Sequence, residues 1–139
     1  MRSRVRRFAH VLERLGLAMA GAASGLFVAV HVGSSISALT SQAFLLIMMI
    51  GGAIGFYLGI DTPQQPFHAS DDRSKIDSAE FLSAVGTFLA ALSAFFSVGV
   101  IVLRAEPHIF WTGAMMVGWT VGVIMQITAG AIARARDRA

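Results

Sequence analysis

Cysteine and asparagine are both absent from this chain of 139 residues. Without cysteine the protein cannot form disulfides, thiolate metal sites or the thioether bonds of covalently attached haem. Without asparagine it has no acceptor for N-glycosylation. The metalloprotease, nucleophile-elbow and phosphate-loop motifs are missing as well, so the sequence predicts no catalytic residues.

Charged side chains are also scarce, at 14% of the sequence, against about 25% in typical soluble domains. None of them lies in three long stretches, residues 15–60, 81–103 and 107–133. A charge near the middle of a bilayer costs roughly 2.5–3.5 kcal/mol on insertion scales, so such stretches are typical of membrane spans. The pattern predicts an integral membrane protein. The lack of an intramembrane carboxylate argues against coupled transport of protons or cations.

The apolar stretches predict four transmembrane helices. A hydrocarbon core about 30 Å thick needs about twenty helical residues, so the stretch 15–60 is too long for one helix. We expect it to break at the polar run 37–42. The prediction is an all-α polytopic protein with one domain over residues 15–139, in which two antiparallel hairpins are joined by a hydrophilic connector at 61–78. The four predicted spans cover about residues 15–37, 43–60, 79–103 and 109–133.

The distribution of positive charge predicts the orientation of these spans. Ten of the eleven lysines and arginines lie in the N-terminal segment, the connector and the C-terminal tail, and the exception is Arg104. Because short cytoplasmic loops carry an excess of lysine and arginine, both termini and the connector are expected in the cytoplasm. The expected location is the inner membrane of a bacterium. Since topology explains the arginines, we expect no nucleic-acid partner.

Residues 1–14 form a basic segment in which Val5, Phe8 and Leu12 recur at helical spacing up to Leu15. This pattern predicts a short amphipathic helix on the cytoplasmic face of the membrane, with its arginines on anionic head groups. A frayed basic tail that only sets the topology is the alternative.

Glycine recurs at four-residue spacing in three of the spans. Helices in lipid associate through close backbone approach, because burying apolar surface does not drive them together there. The glycine stripes therefore predict tight helix packing, and spacing alone leaves open whether they pack within one chain or between chains. The predicted packing residues are Gly21, Gly25, Gly33, Gly51, Gly55, Gly59, Gly118, Gly122 and Gly130.

His31 is the one histidine inside a predicted span, with Ser24 and Ser35 on the same helical face and Ser34 beside it. These residues are candidates for lining a cavity or binding a ligand. The competing interpretation, which we favour, is a neutral imidazole hydrogen-bonded to a neighbour. Haem would need a second axial ligand, which only His108 is placed to supply, so we predict no cofactor and no metal site.

Gln126 and Tyr57 lie at similar depth in spans 4 and 2. We expect a hydrogen bond between them that holds the two helices together, rather than a contact with substrate.

These observations favour a small membrane protein without catalysis of its own, which serves as a subunit, assembly factor or oligomeric scaffold of a membrane complex. Its expected partners are the lipid bilayer and other membrane subunits or further copies of itself. One alternative is an oligomeric channel or facilitator for a small or uncharged solute, with Ser24, His31 and Ser35 along its path. The other is an electron-transfer partner that binds haem or quinone through His31.

Overall fold

The secondary structure is entirely helical over the residues that the computed structural model describes, 2–59 and 78–139. This confirms the all-α prediction for those residues. The predicted connector at 61–78 falls outside them except for Ser78, which begins the third long helix. In chain order the elements are α1 (Arg2–Ser35), a short 3-10 turn (Ser37–Leu39), α2 (Gln42–Gly59), α3 (Ser78–Val102) and α4 (Ile109–Asp137).

All four long helices contain segments of sufficient length and apolarity to cross a membrane. The four-span prediction is confirmed at that level, and the predicted bounds agree within a few residues, with the largest differences at the start of the first segment and at the end of α4. The helix continues to Asp137 because Arg134, Ala135 and Arg136 are good helix formers. The qualifying segments are His10–Ser35, Gln42–Gly59, Ser78–Val102 and Ile109–Arg136.

The N-terminal segment does not form a separate helix. One unbroken helix runs from Arg2 to Ser35, because no glycine or proline interrupts the chain before Gly16. Phe8, Leu12 and Leu15 are all more than half exposed on it. The basic segment is therefore an extension of α1, and these three apolar side chains do not pack on the bundle.

The break between α1 and α2 lies where the polar run predicts it. Ile36 adopts an extended conformation, with φ −127° and ψ 99°, and ends the regular path of α1. Thr40 Oγ1 donates to the carbonyl of Ser37 within the turn. Ser41 Oγ then accepts the backbone N–H of Phe44 at 3.2 Å, which caps the start of α2.

Glycines bring α1 and α2 into backbone contact. A Cβ built on Gly21 would overlap the carbonyl of Gly52, and one on Gly25 would overlap the carbonyl of Met48. Gly33 lies nearer the turn, where its Cβ would be 3.1 Å from the carbonyl oxygen of Leu39. These predicted packing glycines therefore contact elements of the same chain.

Helix α4 uses the same device on two sides. A Cβ on Gly122 would lie 2.6 Å from the carbonyl oxygen of Gly86 in α3, and one on Gly130 would lie 2.6 Å from that of Leu58 in α2. At Gly118 an added Cβ would meet Ser93 Oγ at 2.9 Å. The glycines of α4 thus allow α2 and α3 to approach it closely.

The stripe predicted in α2 is only partly accurate. The close approach to α1 is made by Gly52, which the four-residue spacing did not select, whereas a Cβ on Gly51 would only touch the Trp119 ring at 3.7 Å. Gly55 does face α4, where its Cβ would lie 2.8 Å from Gln126 Oε1, and Gly59 lies more loosely, 3.4 Å from Ser83 Oγ.

The centre of the bundle is built around Trp119. Its indole lies against Gly25 and Gly52, where added Cβ atoms would be 3.0 and 3.1 Å from its ring. The small residues of α1 and α2 therefore make the space that a large side chain of α4 fills. The buried cluster comprises Val28, Ala29, Val32, Met48, Ala90, Ala94, Trp119 and Val123.

Candidate functional site

The loop between α3 and α4 begins with an unusual backbone conformation at Arg104. The backbone N–H of Ala105 donates to the carbonyl of Val100 at 3.0 Å, and that of Arg104 donates to Ile101 at 3.3 Å. This pair of bonds is the Schellman arrangement that ends many helices, usually with glycine at the left-handed position. Here Arg104 takes that position with φ 50°, the only non-glycine residue with positive φ in the part of the chain that the structure describes.

His108 ends this loop as the N-cap of α4. Its Nδ1 accepts the backbone N–H of Phe110 at 3.2 Å, and the side chain is exposed. Arg104 and Glu106 are exposed as well. The three residues therefore lie in a solvent-exposed turn.

His31 is buried in the last turns of α1, with 1% of its surface exposed. Its Nε2 lies 3.4 Å from Oγ1 of Thr112 in α4. Sequence reasoning missed Thr112, because three threonines recur along α4 and nothing in their spacing marks the one that meets the imidazole.

Serine and threonine hydroxyls surround the His31 ring. Ser35 Oγ donates to the carbonyl of His31 at 3.2 Å, and Thr112 Oγ1 donates to Ser35 Oγ at 3.5 Å. With that donation made, Thr112 Oγ1 can only accept from Nε2, which requires the Nε2–H tautomer and leaves Nδ1 as an acceptor. Nδ1 is buried with no hydrogen-bond partner among the described residues.

A pocket of about 530 Å³ opens beside His31 at this end of the bundle, and we call it the end pocket. Its polar wall contains one cation and one anion, Arg104 and Glu106. The hydroxyl of Ser34 is also part of this wall, and it donates to the carbonyl of His31 at 2.7 Å. The end pocket is lined by Val30, His31, Ser34, Ser35, Val100, Ile101, Arg104, Ala105, Glu106, Pro107 and Ile109.

Ser24 does not belong to the end pocket. Its hydroxyl donates to the carbonyl of Gly21 at 2.7 Å and accepts the indole N–H of Trp119 at 3.1 Å. The predicted serine face is therefore divided: Ser34 and Ser35 lie with His31 in the pocket, and Ser24 is a structural contact in the core.

The predicted hydrogen bond between Gln126 and Tyr57 is not formed. Gln126 Nε2 donates to Thr87 Oγ1 of α3 at 2.8 Å. Tyr57 is 39% exposed, and the guanidinium of Arg14 lies 5.4 Å from the centre of its ring. Equal depth suggested the pair, but Gln126 is buried against Gly55 and Thr87, whereas Tyr57 lies at the surface beside Arg14.

Among the described residues, no group of three or more histidine, cysteine, aspartate or glutamate side chains is placed to hold a metal ion. No protein-family model, curated protein or solved structure matches the chain significantly.

Proposed function

We propose that the protein is a four-span protein of a bacterial inner membrane that serves as a non-catalytic subunit, assembly factor or oligomeric scaffold. The observation that carries this proposal is the use of buried polar groups inside the bundle as contacts between helices. Trp119 bonds Ser24, Gln126 bonds Thr87 and Thr112 contacts His31. Such contacts hold helices together in lipid and leave the outer surface of the bundle for partners.

The helix contacts support two antiparallel hairpins. From Gly21 to Gly25 the partner in α2 changes from Gly52 back to Met48, so the two helices run in opposite directions. Gly86 pairs with Gly122, while Ser93 lies against Gly118, which is the same relationship between α3 and α4.

The arrangement of basic residues supports cytoplasmic termini. Arg14 lies over Tyr57 in the last turn of α2, and Arg136 contacts Ser78 at the start of α3 at 3.5 Å. The N-terminal and C-terminal arginines therefore gather at one end of the bundle, with Arg104 in the loop at the other. A bundle with its positive end in the cytoplasm follows the positive-inside rule.

The outer surface supports both membrane placement and association. Large apolar side chains cover it, among them Phe81, Phe88 and Phe95, which recur every seven residues and are all more than half exposed. A surface of this composition is stable in contact with lipid or with the spans of another membrane protein.

The channel alternative receives less support, because Ser24 is bonded to Trp119 within the core and is not available to line a path. The haem alternative receives less support because His108 Nδ1 caps α4.

Two measurements on the chain at native expression level test the proposal. Reporter fusions after residue 59, after residue 104 and at the C-terminus should report cytoplasm, exterior and cytoplasm. Purification in mild detergent with quantitative mass spectrometry should recover other membrane subunits, or further copies of the chain, at fixed stoichiometry. An exterior C-terminus would contradict the orientation. A monomer that recovers no other membrane subunit at fixed stoichiometry would contradict the subunit or scaffold role.

A further inference from the structure

We propose that the end pocket binds the phosphoethanolamine head group of a phospholipid, with the phosphate on Arg104 and the amine on the acceptors around His31. The inference rests on the proposed membrane placement, and it assigns a ligand to a site that the subunit or scaffold role does not need.

The hydrogen-bonding groups of the pocket on the α1 side are acceptors. In its Nε2–H tautomer His31 has Nδ1 as an acceptor, and this buried atom has no partner among the described residues. The hydroxyls of Ser34 and Ser35 each donate their hydrogen to the carbonyl of His31, so their oxygens can only accept further hydrogen bonds. Glu106 adds a carboxylate in the same lining. A ligand must therefore present several N–H or O–H donors, and a primary ammonium presents three.

On the loop side, the pocket has a positively charged hydrogen-bond donor, Arg104. Arg104 is the one cation in the lining, and a guanidinium matches the oxygens of a phosphate in geometry and charge. Its left-handed backbone, with φ 50°, is a conformation in which an arginine is strained. Strained residues persist where the surrounding structure requires them, often at ligand sites. Since Arg104 and Glu106 supply one charge of each sign, the lining suits a zwitterion better than an anion.

The rest of the lining indicates a lipid rather than a free solute. Val30, Val100, Ile101 and Ile109 form an apolar wall at the ends of membrane-spanning segments. A lipid whose head group is held by Arg104 and His31 could extend its acyl chains along this wall into the bilayer. The volume of about 530 Å³ lies within the range of roughly 300–1,000 Å³ usual for ligand pockets.

The experiment measures lipid binding to the delipidated protein in detergent by native mass spectrometry. We compare phosphatidylethanolamine with phosphatidylcholine, which has no N–H donors, and with phosphatidylglycerol, which has no cation. The expected result is at least tenfold tighter binding of phosphatidylethanolamine than of either competitor. Equal binding of the three lipids would overturn the proposal, and equally tight binding of soluble phosphoethanolamine would overturn its lipid part.

Variants locate the site. Arg104→Gly, which keeps the left-handed turn, should weaken the binding of all three lipids at least tenfold, because each carries the phosphate. Glu106→Gln should instead reduce the preference for phosphatidylethanolamine over phosphatidylcholine at least tenfold, because it removes an acceptor for the amine. Arg138→Gln and Glu13→Gln change charges at the opposite end of the bundle, and they should leave both the affinity and the preference intact. An equal loss in these controls would show nonspecific electrostatics and refute the assignment.

A spectroscopic readout requires no variant. In protein with ¹⁵N-labelled histidine, the Nδ1 resonance of His31 should shift on addition of phosphatidylethanolamine but not of phosphatidylcholine. An unchanged resonance would contradict the placement of the amine beside His31. Both measurements use purified protein without partners and without a defined orientation, so their failure is distinguishable from failure of the topology or co-purification tests.

Discussion

Gly21 and Gly52 face each other across the α1–α2 interface, and the carbonyl of each occupies the place where a Cβ on the other would lie. Contacts of this kind are the means by which helices associate in lipid, where dispersion and close approach replace the hydrophobic effect. Gly25 repeats the contact against Met48 one turn along α1. The first two helices therefore depend on the absence of side-chain atoms at these positions.

Gly21→Ala should destabilise the protein by about 1–3 kcal/mol, the usual cost of overpacking. The new methyl would collide with backbone, which cannot rotate away as a flexible side chain can. Unfolding by SDS in mixed micelles measures the change in free energy. Gly52→Ala should cost a similar amount, and the double variant less than the sum, because one separation of the helices relieves both clashes.

Gly16→Ala is the matched control in the same helix, since nothing lies within 4 Å of a Cβ at that position. Alanine should stabilise the helix there by about 0.5–1 kcal/mol relative to glycine. If Gly21→Ala also stabilised the protein, the α1–α2 contact would be refuted.

Ser24→Ala should lower the free energy of unfolding by about 1–3 kcal/mol, because it leaves the buried indole N–H of Trp119 without an acceptor. The same SDS titration measures the effect. Ser34→Ala is the control, since both serines donate at 2.7 Å to a carbonyl three residues earlier in α1. Only Ser24 also accepts from another helix, so an equal effect of the two substitutions would show that the Trp119 contact contributes nothing.

A double-mutant cycle between Gln126→Leu and Thr87→Val should give a coupling energy of about 0.6 kcal/mol, the average for hydrogen bonds between membrane helices. The structure pairs these two side chains at 2.8 Å. The corresponding cycle with Tyr57→Phe should give no coupling, because Tyr57 lies under Arg14 instead. Coupling of Gln126 to Tyr57 and not to Thr87 would contradict the pairing in the structure and support the pair predicted from equal depth.

The choice between Thr87 and Tyr57 as the partner of Gln126 shows what the sequence could and could not predict. The lack of charge sets the length of each span, and the polar run at 37–42 predicts the break, so the depth of a residue along its helix can be inferred. The rotation of one helix about its axis relative to its neighbours depends on close packing. Four-residue spacing selected Gly51, Gly55 and Gly59, whereas the contact with α1 uses Gly52.

The site at His31 was likewise predicted only in part. Its position in a span marked it as a candidate, and Ser34 and Ser35 do lie with it in the end pocket. Thr112 and the left-handed turn at Arg104 were not foreseen, since the first depends on the placement of α4 beside α1. The second was not foreseen because this kind of helix ending usually has glycine at its left-handed position, whereas this sequence has arginine there.

Arg104→Gly should stabilise the lipid-free protein by about 1 kcal/mol, because glycine adopts the left-handed conformation without the clash of a Cβ. The Schellman bonds from Arg104 and Ala105 are made by the backbone and remain in the variant. Ala105→Gly is the control, since Ala105 does not have positive φ and glycine there only adds freedom to the unfolded chain. It should therefore not stabilise the protein. Thermal unfolding of delipidated protein in detergent measures both changes. A loss of stability in Arg104→Gly would mean that the guanidinium holds the loop through contacts stronger than the strain, and the strain argument would fail.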